Sequence, residues 1–202
     1  MLSGKRLASQ WEQVHGRPHT EADVDAIYAD FEPAVLATLS DFTTPLPGVL
    51  DTVATLRKLG LNIGSTTGYT APMMEIVAPA AAAQGYAPDV WVSAEDVGGI
   101  GRPAPYMVWR ALQEVGCESI SAVIKVGDTI ADITEGKNAG CLAVGVAVGS
   151  SLMGLSQPEW EALTPAAQAA AVADTRARFL AAGADFVLET SCELPDLLRM
   201  IG

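Results

Sequence analysis

The chain has 202 residues, half of them apolar and 18% charged, which suits one packed domain with a small appendage and excludes wholesale disorder. Twelve basic residues against 24 acidic ones give a net charge of -12, which repels phosphate backbones and anionic lipid and argues against nucleic-acid or membrane partners. No stretch approaches the ~18 uninterrupted apolar residues of a membrane span. The N-terminal segment has neither the apolar run nor the small-residue cleavage site of a signal peptide, so a cytoplasmic location is the expectation.

Cys117, Cys141 and Cys192 are odd in number and show no CxxC spacing, which reads as buried structural thiols of a reducing compartment. His15 and His19 lie four apart in a polar segment with no third ligand nearby, and solvated helix-entry residues are the expectation there rather than a zinc pair.

Residues 6–17 carry few apolar anchors. Thr20-Glu-Ala-Asp23 then resembles a capping box opening a helix whose apolar positions run from Val24 to Leu39, with a kink or break expected at Pro33. The segment from Asp41 to Pro47 holds two prolines and turn chemistry, and marks a boundary between two parts. Beyond it, a helix is predicted over Pro47–Leu59 with Gly60 as its stop, a short strand over Leu61–Gly64, and a helix over 72–83. A strand at Val90–Val92, a Gly-rich loop ending Gly101-Arg-Pro-Ala-Pro105 and a helix over 106–115 follow. Ala122–Val126 is the clearest buried strand, then come a helix over 131–139 and a strand over Leu142–Val148. Ser156-x-x-Glu159 gives a second capping box; the alanine-rich 165–182 segment is helical, Ala184–Leu188 a strand, and 194–201 a last helix. Strands alternating with helices imply right-handed crossovers and an open parallel sheet.

In such a sheet, ligands lie beyond the carboxyl ends of the strands. Ile63-Gly-Ser-Thr-Thr-Gly-Tyr69 offers hydroxyls and freed amides at a strand-to-helix turn, which suit a phosphate, although helix capping alone accounts for them as well. Asp128 and Asp132, one helical turn apart just past a buried strand, are predicted to stack at the strand tip and to be neutralised by a hard cation such as Mg2+. Arg102 stands on the loop between these segments, where it could hold an oxyanion or balance the aspartates. The order of the three is more telling than any one of them.

Gly64-Ser-Thr-Thr-Gly-Tyr-Thr70, Gln84-Gly-Tyr-x-Pro-Asp89, Gly101-Arg-Pro-x-Pro105, Lys125-Val-Gly-Asp-Thr129 and Glu135-Gly-x-Asn-Ala-Gly140 together resemble the phosphonoacetaldehyde hydrolase family of the haloacid dehalogenase superfamily. Thr20 to Phe31 is similar to the end of that family's helical cap. The resemblance implies an α/β fold, a haloacid dehalogenase-like Rossmannoid core with a parallel sheet whose first strand is missing, plus a remnant of the cap. Residues 1–44 would be the cap remnant and residues 45–202 the core.

The resemblance also implies an activity: splitting the small-molecule phosphonate phosphonoacetaldehyde into acetaldehyde and phosphate. In that chemistry a lysine forms a Schiff base with the aldehyde, a core aspartate attacks phosphorus, and Mg2+ shields the charge. Carried over by position, Thr67 and Gly68 would hold the phosphoryl oxygens, Arg102 would balance their charge, and Tyr69 would face the substrate. Asp128 would ligate Mg2+ and Asp132 would support that site indirectly. A homodimer is implied as well.

The sequence departs from the family at two points. The Asp-x-Ala-Gly-Thr run that carries the nucleophile does not occur; Asp23-Val-Asp25, the one Asp-x-Asp, sits in a capped helix. The Met-Gly-x-x-Lys element of the imine-forming lysine does not occur either. Of Lys5, Lys58, Lys125 and Lys137, Lys125 is expected to pair with the aspartates and Lys5 to be solvated. The expectation is a chain that begins partway through the cap, with unpaired sheet edges that favour poor solubility or self-pairing. Two alternatives stay open: a non-catalytic relative that binds Mg2+ and phosphate, and a phosphatase of the same superfamily acting on phosphate esters.

Overall fold

The computed structural model describes the backbone from Lys5 to Gly202 and the side chains from Leu7 onward, so the expectation for the Lys5 side chain lies outside the described residues. The chain divides into two compact units, Met1–Thr43 and Thr44–Gly202.

The first unit holds helices α1 (Lys5–His15) and α2 (Glu21–Thr38), then a 3-10 turn over Leu39–Phe42. The capping box at Thr20 forms: its hydroxyl accepts from the Asp23 N–H at 3.3 Å, and the Asp23 carboxylate accepts from the Thr20 N–H at 2.8 Å. Arg17 grips both oxygens of the same carboxylate at 2.6 and 2.7 Å. This guanidinium first, and the Thr20 donors second, hold the Asp23 carboxyl well below the usual range. Asp23 and Asp25 are therefore helical, as their capped context required. Pro33 does not break α2, which runs on to Thr38. The carbonyl that loses its donor belongs to Ala29, an exposed residue, so water can replace the missing N–H. Helix α1 gives no apolar stripe in the sequence; Trp11 stacks on His15 at 3.7 Å, and Arg17 lies 5.5 Å from the Trp11 ring centre.

The second unit alternates helix and strand: α3 (Val49–Lys58), β1 (Gly64–Thr67), α4 (Ala71–Ala83), β2 (Val90–Ser93), α5 (Tyr106–Glu114), β3 (Ile124–Gly127), α6 (Ile130–Ala139), β4 (Leu142–Val146), α7 (Gln157–Glu161), α8 (Pro165–Ala181), β5 (Phe186–Leu188) and α9 (Leu194–Ile201). Strand β1 falls later than its sequence reading. The β-branched Thr66 and Thr67 pair with Val92 and Ser93, while Leu61 and Asn62 precede the strand. Asp89 fixes this start, accepting from the Ile63 N–H at 2.7 Å and from Arg57 at 2.9 Å.

All strand pairs are parallel, but they form two sheets, β1-β2 and β3-β4-β5. Gly127 is level with Gly145, and Val144 with Phe186. Strand β4 is apolar on both faces, as a central parallel strand should be. Ala143 and Ala147 pack with Ile133 of α6 and with Val172 and Phe179 of α8, whereas Val144 packs with Leu56 of α3 and Leu194 and Leu197 of α9. The result is helix, sheet, helix. Burying Phe179 completely contributes about 1.5–3 kcal/mol of transfer free energy. Of the cysteines, only Cys141 is buried; Cys117 is half-buried and Cys192 exposed. The expectation of three buried thiols is thereby corrected, because Cys192 falls in the 3-10 turn over Ser191–Glu193, outside the layers.

Candidate active site

Parallel pairing puts the carboxyl ends of β1 and β2 at one edge of their sheet, and those of β3, β4 and β5 at one edge of theirs. At the end of β1, Thr67 turns the chain: its hydroxyl oxygen accepts from the Tyr69 N–H at 3.0 Å. A side chain at Gly68 would meet no atom within 4 Å, so this backbone lies open on the surface. Tyr69 is exposed beside it. Helix α4 begins at Ala71, and the positive end of its dipole faces the turn.

At the end of β3, Asp128 and Asp132 do not stack. Asp128 turns toward the loop after β4, where one of its oxygens accepts from Ser151 twice, from the N–H at 2.9 Å and the hydroxyl at 2.7 Å. Asp132 points the other way. One oxygen completes a capping box with Thr129, taking its hydroxyl at 2.6 Å and its N–H at 3.1 Å. The other lies 3.1 Å from Arg102 and 3.2 Å from Lys125. In place of the stacked pair expected from the sequence, Asp132 is paired with two cations, and Asp128 is held by hydrogen bonds from Ser151. A buried aspartate is cheaper beside two cations than beside a second aspartate.

Arg102 comes from the loop between β2 and α5. Its Nε also meets Glu135 at 3.2 Å, and its Nη2 donates to the Thr66 carbonyl at 2.7 Å and the Thr66 hydroxyl at 3.1 Å. Lys125 Nζ reaches Glu135 at 2.8 Å and the Thr66 hydroxyl at 2.7 Å. The pairing expected of Lys125 therefore includes Asp132 and Glu135, with Asp128 left to Ser151. The cluster is electrically balanced, with two guanidinium or ammonium groups against two carboxylates. Burial would raise the Asp132 carboxyl, but Lys125, the Thr129 hydroxyl and Arg102 outweigh it and keep the group below the usual carboxylate range.

Arg102 is thus bonded to Thr66, next to Thr67, and to Asp132, four residues from Asp128. It ties the end of β1 to the first turn of α6. Thr66, Glu135 and Ser151 belong to this assembly and were not singled out from the sequence. Glu135 appears there only inside Glu-Gly-x-Asn-Ala-Gly, and a serine in a loop without pattern gives no signal.

Residues 3–140 match the family model for haloacid dehalogenase-like hydrolases. Over 201 residues, all of this chain and 76% of the relative, the sequence is 46% identical to phosphonoacetaldehyde hydrolase of Parabacteroides distasonis. It is 44% identical over 201 residues to that of Lysinibacillus sphaericus, again covering this whole chain and 75% of the relative. The chain belongs to the phosphonoacetaldehyde hydrolase family. A crystal structure of a phosphonoacetaldehyde hydrolase-like protein from Oleispira antarctica superposes with a TM-score of 0.89 at 31% identity, over 98% of this chain and 72% of that one. The α/β fold of the haloacid dehalogenase type is therefore established for this family member. Hydrolases of this kind generally use a divalent metal.

Whether these residues suit such an ion is a question of donor chemistry. Carboxylate oxygen is the right donor for a hard divalent cation, and Asp128 has one oxygen outside its bonds to Ser151. Among the described residues no three acidic, histidine or cysteine side chains gather for a metal. By donor chemistry, that oxygen of Asp128 would suit such an ion as a single ligand. Among the described residues no helix is long and apolar enough to cross a membrane.

Proposed function

We propose that this chain handles phosphonoacetaldehyde, the substrate named for its curated relatives, in hydrolysis of the carbon–phosphorus bond to acetaldehyde and phosphate. The supporting observation is that Arg102 bonds both Thr66, which precedes the Thr67 turn at the end of β1, and Asp132, in the helix that follows the Asp128 turn. In this reading the Thr67 hydroxyl and the Gly68 N–H bind phosphoryl oxygens, with the end of the α4 dipole behind them. Arg102 balances their charge from below, and Tyr69 lies against the substrate. Asp128 holds Mg2+, which when bound would screen the phosphoryl charge; Asp132 supports that site by fixing Arg102 and the start of α6. Residues 1–44 act as part of a helical cap and residues 45–202 as the core.

An attacking carboxylate and an imine-forming lysine complete the family's chemistry, and neither of the motifs that carry them occurs in these 202 residues. That observation favours a second reading, in which the chain by itself binds phosphate and Mg2+ without turnover. Incubation with phosphonoacetaldehyde and Mg2+, with phosphate and acetaldehyde both followed, separates the two. Release of both products supports hydrolysis; saturable binding of inorganic phosphate without release supports the binding reading. Failure to bind phosphate in the presence of Mg2+ would sink both.

A further inference from the structure

Glu135 is a carboxylate with 0% side-chain exposure, and its Oε1 has no hydrogen-bond partner. A buried acceptor left unpaired costs stability, about 1–3 kcal/mol for such groups in general, so an apolar residue would serve packing better. Its other oxygen explains its presence. Glu135 Oε2 receives Lys125 at 2.8 Å and Arg102 at 3.2 Å, and Thr66 Oγ1 lies 3.5 Å away.

These partners come from different places. Thr66 is on β1 and Lys125 on β3, and those strands belong to separate sheets with no ladder between them. Helix α6 can carry Glu135 to this position because the next residue is glycine: a side chain at Gly136 would come within 2.9 Å of Lys125 and 3.2 Å of Ala143. Thr66 immediately precedes the Thr67-Gly68 turn, so whatever fixes Thr66 fixes that turn.

We propose that Glu135 is a positioning residue: from α6 it holds Lys125 and Arg102 against Thr66, and so fixes the β1 turn relative to the β3 turn. The inference deepens the phosphoryl-site reading by naming the group that aligns its two halves. Glu135 touches no substrate. It acts through the two cations, which in turn hold the Thr66 carbonyl and hydroxyl.

The test is Glu135→Gln, which keeps the shape and removes the charge, with Lys125→Gln and the double variant alongside. Hydrogen exchange of the full chain is read segment by segment, together with the affinity for inorganic phosphate in the presence of Mg2+. Exchange at Thr67–Tyr69 should rise at least tenfold relative to β4 and β5 in Glu135→Gln, with phosphate affinity falling by a similar factor. The double variant should be no worse than the more affected single one, because both changes break the same link. Should Glu135→Gln lose its fold, Lys125→Gln gives the same readout. An unchanged β1 turn, or a rise spread evenly over both sheets, would overturn the proposal. If the wild-type chain binds no phosphate but the β1 turn still loosens selectively, the positioning role stands and the phosphoryl-site reading fails.

Discussion

Ser151 donates both its backbone N–H and its hydroxyl to a single oxygen of Asp128, at 2.9 and 2.7 Å. The carboxylate is thereby aimed by a loop that follows β4, not by its own strand, and the Asp128 carbonyl takes the Leu152 N–H at 3.2 Å as a further tie. Ser151→Ala removes one of the two donors to the carboxylate and leaves the backbone intact. Residues that orient a metal-binding carboxylate typically matter by about 10–100-fold in metal affinity, so a loss of about tenfold in Mg2+ affinity is expected. Stability should fall by no more than about 1 kcal/mol, the net worth of one hydrogen bond. Calorimetric Mg2+ titration with a parallel thermal melt checks both, and an unchanged Mg2+ affinity would count against Asp128 as a metal ligand aimed by the Ser151 hydroxyl.

Asp185 joins three elements. It accepts from the Ala143 N–H of β4 at 2.8 Å and pairs with Lys137 of α6 at 2.7 Å, from its place just before β5. Burial pushes its carboxyl up, but the Ala143 N–H and the Lys137 ammonium more than offset this and hold it below the usual range. A carboxyl depressed in the folded state stabilises fully above its unfolded value, about 3.9, and that stabilisation is lost as pH falls through the folded value. Asp185→Asn should therefore cost about 1 kcal/mol at neutral pH, with the half-exposed Lys137 discounted for solvent screening. The gap between variant and wild type should close below about pH 4. Urea melts at several pH values measure it, and a gap that widened in acid would contradict the assignment.

The alternation of helix and strand was legible in the sequence because apolar runs and glycine stops are local signals. The capping boxes at Thr20 and Ser156 form as their spacing requires. Strand β1 was read too early because Leu61 and Ile63 are more apolar than the threonines that in fact pair with β2. Arg102 and the two aspartates were singled out from their order along the chain, but their partners could not be. Whether Asp132 faces Asp128 or turns to Lys125 depends on α6 lying against β3, which no short pattern encodes. Glu135 escaped for the same reason. A glutamate in a helix is ordinarily solvated, and only the packing of α6 shows that this one has 0% exposure.

Among the described residues only β4 is paired on both sides, and β1, β2, β3 and β5 are all edge strands. Free parallel edges with unsatisfied N–H and C=O groups invite pairing with another chain. Concentration-dependent self-association is the expected behaviour, detectable as a rise in mean mass across a dilution series in size-exclusion chromatography with light scattering. A monomer of constant mass with a cooperative melt would contradict this expectation.

Gly127 ends β3 beside Asp132 of α6. A side chain there would lie 2.2 Å from the Asp132 Cβ and 2.4 Å from its carboxyl carbon, distances that flexing a side-chain tip cannot relieve. Gly127→Ala must move the start of α6, and with it Asp132 and its bonds to Thr129, Lys125 and Arg102. Overpacking of this kind generally costs about 1–3 kcal/mol. The site should suffer more than the fold: phosphate and Mg2+ binding should drop at least tenfold at temperatures where far-ultraviolet circular dichroism still reports a folded chain. Gly98→Ala is a suitable contrast, since a side chain at that positive-φ glycine meets nothing within 4 Å; it should cost about 1 kcal/mol of backbone strain and leave ligand binding unchanged. Equal losses of binding in the two variants would mean that Asp132 does not align the site.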